Sequence, residues 1–284
     1  MRVLVTGAAG MLGHKVVAVA QGRGHDVIAA DLEQFDITDA GATRAFLDAE
    51  RPDVVVHCAA YTAVDRAEED EERALTINGL GSANVAGAAA ALGARVVAVS
   101  TDYVFDGAVR ERPWVESDPT GPLGAYGRTK LAGEQAVLEA SDRNAVVRTA
   151  WLFGAGGPNF PDTMLRLAAE RGVVDVVSDQ VGSPTWTGHL APALVDAAED
   201  PSRTGTFHAA GAGSCSWYEL AVATFYYKGT DVDVHAVDTA AFPRPAPRPA
   251  YSVLGSERGA LALTLPSWRD GLHGHLDDNE ETPS

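Results

Sequence analysis

Positive charge is scarce in this sequence: 22 lysines and arginines stand against 39 aspartates and glutamates, a formal net charge of -17. Nucleic-acid binding needs a basic surface and is not expected. An anionic substrate would meet an opposing overall field, so its pocket must supply cations locally. Lysine occurs only at Lys15, Lys130 and Lys228. Cysteine is limited to Cys58 and Cys215. Two thiols cannot build a disulfide framework, so both are expected to be reduced and buried, in a cytoplasmic protein. Long apolar runs are also missing. The longest, around Asn84–Leu92, is alanine with glycine, too short and weak to span a bilayer, so no membrane association is expected. Met1–Gly7 has neither an apolar signal core nor a cleavage site and reads as a first strand. The eight histidines show no ligand spacing, and no metal site is expected.

What the 284 residues do contain is an alternation of short Val/Ile/Ala runs with helical patterns, the signature of βαβ units and a parallel sheet. Strands are expected at Arg2–Thr6, Asp26–Ala30, Asp53–His57, Arg95–Ser100 and Asn144–Thr149. Helices are expected at Met11–Gln21, Asp39–Glu50 and Ala125–Ala140, with one or two more across Val64–Leu92, interrupted near Asn78-Gly79. After Trp151 the pattern loosens: helices at Asp162–Arg171, His189–Ala198 and Trp217–Tyr226 mix with strands at Val173–Ser178 and Thr206–Ala209. Pro243–Pro249 holds four prolines and must be extended or turning. The reading is an α/β protein, a doubly wound parallel sheet over residues 1–150 with a smaller C-terminal lobe over 151–276 that interleaves with it. The acidic stretch 277–284 is expected to be disordered.

Gly7-x-x-Gly10-x-x-Gly13 follows the first strand and opens a helix. Glycines there allow a tight turn and close approach of backbone to a pyrophosphate, while the helix start offers amide donors and a positive dipole end. In this context the pattern indicates a dinucleotide-binding, Rossmann-type site. Asp31, ending the second strand, can accept the adenosine ribose hydroxyls and favour NADH. Lys15 can equally neutralise a 2′-phosphate and favour NADPH, which leaves the choice open. Asp36-Ile37 can contact the adenine edge or simply turn the chain. The small residues of Cys58-Ala59-Ala60-Tyr61-Thr62 end strand three, where the middle of a dinucleotide would pass. Ser100-Thr101-Asp102 ends strand four. Tyr126 and Lys130, four residues apart, share one helix face, and an ammonium near a phenol lowers the tyrosine pKa. With Thr101 holding a carbonyl, the set reads as a proton-delivering site for hydride transfer. The run Glu68–Glu72 reads as a solvated helix face. Trp151, Trp217 and Tyr218 can stack on a base or sugar, or lie in the core.

These residues resemble the extended short-chain dehydrogenase/reductases. Further segments are similar to the dTDP-4-dehydrorhamnose reductase family: Cys58–Glu68, Ser100–Gly107, Tyr126–Glu134, Arg148–Gly154, Asn159-Phe160, Asp179–Thr185 and Arg248-Pro249. The resemblance runs from Met1 to about Leu272. It implies reduction of a dTDP-4-keto-6-deoxy-L-hexose with NADPH or NADH. Tyr126 would give the proton, Lys130 lower its pKa and hold the nicotinamide ribose, and Thr101 bind the keto oxygen. Implied cofactor contacts are Gly7, Gly10, Met11, Leu12, Gly13, Asp31, Asp36, Ile37, Ala59, Ala60, Tyr61, Thr62 and Ser100, with Tyr126 and Lys130. Implied substrate contacts are Thr101, Asp102, Trp151, Asn159 and Arg248. Some relatives bind magnesium at a dimer interface through glutamates, but the matching positions here are Lys15 and Gly188. A monomer or weak homodimer without structural magnesium is therefore expected. The same resemblance admits other dTDP-keto sugars, including one leading to dihydrostreptose. It also admits a non-catalytic relative, the methionine adenosyltransferase regulatory subunit, against which Tyr126 and Lys130 argue.

Overall fold

The computed structural model describes residues 1–281. The chain begins with β1 (Arg2–Thr6), α1 (Met11–Gly22), β2 (Asp26–Ala30), α2 (Ala40–Glu50) and β3 (Val54–His57). Short helices α3 (Val64–Glu69) and α4 (Glu71–Leu75) then run through a π turn at Thr76–Gly81 into α5 (Ser82–Ala91). The interruption expected near Asn78-Gly79 is this wider turn, which keeps the chain helical. Next come β4 (Arg95–Thr101), α6 (Ala125–Ala140) and β5 (Ala145–Thr149). Beyond them lie β6 (Leu152–Phe153), α7 (Phe160–Arg171), β7 (Val173–Val177), β8 (Val181–Gly182), β9 (Thr185–Trp186), α8 (Thr187–Glu199) and β10 (Gly205–His208). The described chain closes with β11 (Cys215–Ser216), α9 (Trp217–Lys228), β12 (Asp233–Val237) and α10 (Trp268–Glu281).

Six parallel strands form the main sheet in the order β10-β5-β4-β3-β1-β2. Alternate residues of each apolar strand enter opposite layers. Val3, Val5, Val54, Val56 and Val97 pack with Leu12 and Val16 of α1 and Leu190 and Leu194 of α8. Leu4, Val55, Val96 and Val146 pack on the other side with Leu47 of α2, Val85 of α5 and Val137 of α6. Each such side chain, removed from water, contributes about 1.5–3 kcal/mol. Order reverses between β1 and β3, so the crevice for a ligand opens at their carboxyl ends. The chain after Trp151 returns to this sheet through α8 and β10. A separate two-stranded sheet pairs β12 with β7 in parallel; β12 has mostly exposed side chains and too little apolar alternation to be read from sequence.

The expected disorder from 277 onward is corrected in part. Helix α10 continues through Glu281 because Leu272, His275 and Leu276 bury its inner face. Its acidic turns gain an ion pair between His273 and Asp277 at 2.9 Å. Residues 282–284 lie outside the described chain.

Helix α6 presents polar residues to the interior. Thr129, Lys130 and Glu134 are all buried on it. Glu134 receives two hydrogen bonds from Arg148 of β5, Nε to Oε1 at 2.9 Å and Nη2 to Oε2 at 2.7 Å. Asn78, on the π turn, donates to Thr129 Oγ1 at 3.1 Å. The acidic run on α3 and α4 is solvated as expected over Glu69–Glu72, and two of its members also engage α6. Glu68 accepts from the Ala125 N–H at 2.6 Å, capping α6 from another helix, and Glu71 forks onto Arg128. Removing one partner of a buried ion pair strands the other charge at a cost of about 3–5 kcal/mol. Glu134→Ala is expected to lower the unfolding free energy by about that amount in urea titrations, and Glu134→Leu with Arg148→Met to recover most of it. A loss under about 1 kcal/mol in the single variant would contradict the role given to this pair.

Candidate active site

The turn after β1 shows why glycine stands there. Gly7 has φ of 65°, and a Cβ on it would lie 2.7 Å from the Ala59 backbone, at the end of β3. A Cβ on Gly13 would run into the Gly7 carbonyl. Helix α1 therefore starts pressed against the turn, and no side chain caps its first N–H groups. Asp31 locks the arrangement from β2: its Oδ2 accepts from Ala9 N–H at 3.0 Å and its Oδ1 from Leu32 N–H at 2.9 Å.

A cavity of about 1060 Å³ runs from this turn across the carboxyl ends of the strands. Of the residues singled out from sequence, Gly7, Gly10, Met11, Leu12, Gly13, Asp31, Asp36, Ile37, Ala59, Ala60 and Thr62 line it. So do Ser100, Thr101, Asp102, Tyr126, Lys130 and Trp151. Tyr61 does not. Its backbone N–H and C=O are both held by the Asn78 amide, at 2.8 and 3.1 Å, and its ring packs toward Ala67, Ala74 and Ala125. Asn78 is the residue sequence reasoning missed: one amide ties the loop after β3 to the helix carrying Tyr126. Its only sequence signal was its place at the helix interruption.

Buried polar atoms confirm that this wall suits a polar ligand. Ser100 Oγ and Thr149 Oγ1 are buried without a hydrogen-bond partner among the described residues. With the glycine cradle, they fit a dinucleotide carrying polar groups at its far end.

The electrostatics differ from the sequence expectation. Lys130 Nζ donates to Val99 O at 2.8 Å, and burial lowers the ammonium to about 8 against the opposing charges of Glu134 and Cys58. Tyr126 is pushed up to about 12, first by burial and then by Asp102, with the Thr101 hydroxyl pulling it back. The phenol is set by burial, Asp102 and Thr101, while the Lys130 ammonium is directed to the backbone of β4. A phenol at about 12 holds its proton at neutral pH, the state a proton donor needs. Burial also raises Asp102 to about 6, against the hydroxyls of Ser252 and Thr101. Thr101 does two things: its Oγ1 donates to Asp102 Oδ1 at 3.0 Å and accepts from Tyr103 N–H at 3.2 Å. Beneath the site, burial and Lys130 hold His57 neutral, down to about 3. Ser82 donates to Asn78 O at 2.6 Å, so His57 Nε2–H donates to Ser82 Oγ at 3.1 Å and Nδ1 accepts from Thr6 at 2.7 Å.

A second cavity of about 700 Å³ shares Trp151 and Trp217 with the first and ends at Asp65, Arg244 and Arg248. Arg248 pairs with Asp65 at 2.9 Å, and Arg244 approaches the same oxygen at 3.7 Å. Asn159 borders this cavity, but its side chain is spent on capping α7, accepting from Asp162 N–H and donating to Gly154 O. Trp151 and Trp217 stack on each other, ring centroids 3.5 Å apart, and Tyr218 packs in the lobe's core. Cys58 and Cys215 are free thiols that burial pushes up to about 12. Among the described residues no group of three His, Cys, Asp or Glu side chains gathers as a cation site, and no helix is long and apolar enough to cross a membrane. Lys15 lies 3.4 Å from Asp278 and Gly188 packs on Trp186.

Comparison with known proteins gives a consistent picture. The family model described as the RmlD substrate binding domain matches residues 1–280. A dTDP-4-dehydrorhamnose reductase of Mycolicibacterium smegmatis is 48% identical over 275 residues, 95% of this chain and 84% of that protein. A probable dTDP-4,6-dihydroxy-2-methyloxan-3-one 4-ketoreductase of Streptomyces antibioticus is 46% identical, over 98% of this chain and 95% of its own length. Among solved structures, the Bacillus anthracis dTDP-4-dehydrorhamnose reductase in complex with NADP superposes with a TM-score of 0.93, at 39% identity over 98% of this chain and 99% of that one. On sequence and fold alike, the chain belongs to the dTDP-4-dehydrorhamnose reductase family.

Proposed function

We propose that the protein reduces the 4-keto group of a dTDP-4-keto-6-deoxyhexose, dTDP-4-dehydrorhamnose, to the 4-hydroxy sugar. The observation that carries this reading is the meeting of Thr101, Tyr126 and Lys130 in one cavity with the glycine cradle. A reduced nicotinamide dinucleotide supplies the hydride when bound along that cradle. The Thr101 hydroxyl, which donates to Asp102 in the empty site, turns to donate to the keto oxygen, and Tyr126 gives that oxygen its proton as negative charge builds on it. Preorganised donors aimed at developing charge are worth more in a buried site than in water. Lys130, fixed on Val99 O, contributes positive charge close to the same place. Asp102, on the wall of the same cavity, accepts a sugar hydroxyl. Arg248 and Arg244 offer the local cations that a net charge of -17 makes necessary for a diphosphate. The two free thiols suit a reducing, cytoplasmic setting. The Streptomyces antibioticus relative supports a second reading, the same chemistry on another dTDP-keto sugar.

Incubation with NADH or NADPH and dTDP-4-dehydrorhamnose is expected to consume the reduced cofactor, followed by its absorbance. No consumption with any dTDP-4-keto sugar would sink the enzyme reading. Tyr126→Phe is expected to abolish turnover while cofactor binding persists, and turnover at the wild-type rate would remove Tyr126 as the proton donor. The pH profile follows from three shifted groups: kcat/KM for the sugar should fall below about pH 6 as Asp102 is protonated and above about pH 8 as Lys130 loses its charge, with no limb from Tyr126 below about 12. A profile flat to pH 10 would exclude Lys130 as the titrating group. Arg248→Ala should raise the KM for the sugar nucleotide about tenfold with little change in kcat, a loss of about 1.4 kcal/mol in binding. An unchanged KM would move the diphosphate elsewhere.

A further inference from the structure

We infer that Glu134 is a positioning residue of the reaction, the buried counter-charge that keeps Lys130 an ammonium near Tyr126. The inference rests on the reading of Lys130 as the cation of the reacting end. Lys130 is 7% exposed, and its Nζ donates to the carbonyl of Val99, a neutral partner. Desolvation disfavours the charged form of a lysine, so a buried ammonium needs an opposite charge close by to keep its proton. Glu134 stands one helical turn further along α6. Side chains four residues apart leave the same helix face, with Cβ atoms about 5–6 Å from each other. Glu134 is buried as well, and Arg148 of β5 grips both of its oxygens. That grip holds Glu134 ionised and in place, and its charge acts on Lys130 through an interior that screens poorly.

The surroundings single out this carboxylate. On the side of β3, His57 is held neutral and Cys58 keeps its proton at neutral pH. At the end of β4, burial keeps Tyr103 a neutral phenol, while Asp102 accepts from Thr101 and bears on Tyr126. From α3, Glu68 is spent on the Ala125 N–H, and from α4, Glu71 pairs with Arg128 at the surface. Helix α5 and the π turn before it carry no acid or base. Arg148 brings the opposite sign and is spent on Glu134, its Nη1 buried without a partner among the described residues. Lys130 at about 8 is the outcome of burial pulling it down and Glu134 pulling it up. Without Glu134 the loss of charge would move toward neutral pH, and Tyr126 would stand near an uncharged amine over much of the working range. A role in folding alone differs from this one, because apolar chains of similar volume can replace a buried ion pair without loss of the fold.

Lysine occurs at three positions, so a chain labelled with carbon-13 at lysine Cε gives three signals, and Lys130→Arg identifies the one from Lys130. The test follows that signal against pH in the full chain without substrate, alongside the pH profile of kcat/KM. In Glu134→Gln the Lys130 midpoint is expected about one pH unit lower, with the alkaline limb of kcat/KM moving by the same amount. Arg148→Met leaves Glu134 without its cation and should move both upward. Glu134→Leu with Arg148→Met is expected to regain stability in urea and still titrate Lys130 at the lower pH. An unchanged midpoint in Glu134→Gln, the same direction in both single variants, or a wild-type midpoint in the stable double variant would overturn the inference. If the midpoints move as expected but no dTDP-4-keto sugar is reduced, the reduction falls and the charge relation stands.

Discussion

The polar inner face of α6 is the constraint on which the site depends. A helix that buries a threonine, a lysine and a glutamate holds its place only if each finds a partner, and the partners come from different elements. Val99 O belongs to β4, Arg148 to β5, Asn78 to the π turn and Glu68 to α3. Sliding α6 by one residue would break all four contacts at once. Tyr126 is therefore positioned by bonds made elsewhere on its helix, and its own ring needs only to meet Tyr103 edge-on.

Charge is organised on the same principle of opposite signs at different scales. The molecule as a whole is strongly anionic, yet its cavities carry cations at separated points: Lys130 near the reacting end, Arg73 on the rim, and Arg244 with Arg248 at the far end. Asp65 keeps the last pair gathered. A long anionic ligand entering such a protein is turned away almost everywhere except along one path.

Much of this was legible in the sequence, and the reason is locality. The glycine turn, the Val/Ile/Ala strands and the Tyr126–Lys130 spacing each occupy a few consecutive residues, and their meaning follows from one period or one turn. Asn78 and Glu68 were not legible, because their partners lie 51 and 57 residues away and only folding brings them together. The Tyr126 environment was misjudged for a related reason: four-residue spacing puts Lys130 on the same face, but the depth of β4 determines where its ammonium points. Helix α10 escaped notice because its apolar side is only Trp268, Leu272, Leu276 and a histidine among acids and glycines. Asn159 was read as a ligand contact when a helix start nearby had a prior claim on its amide.

Trp151 leaves β5 with φ of 47°, a left-handed backbone that a bulky residue seldom adopts and that costs about 1–2 kcal/mol. Its ring is clamped against Trp217 and against Gly182, where any side chain would collide with the indole. The same residue borders both cavities. Held by a strained backbone and two packed faces, it acts as a rigid post, and the spacing between the two chambers becomes a fixed length. For any molecule that bridges them, that post works as a ruler: a ligand one bond too short or too long can seat one end or the other, but not both.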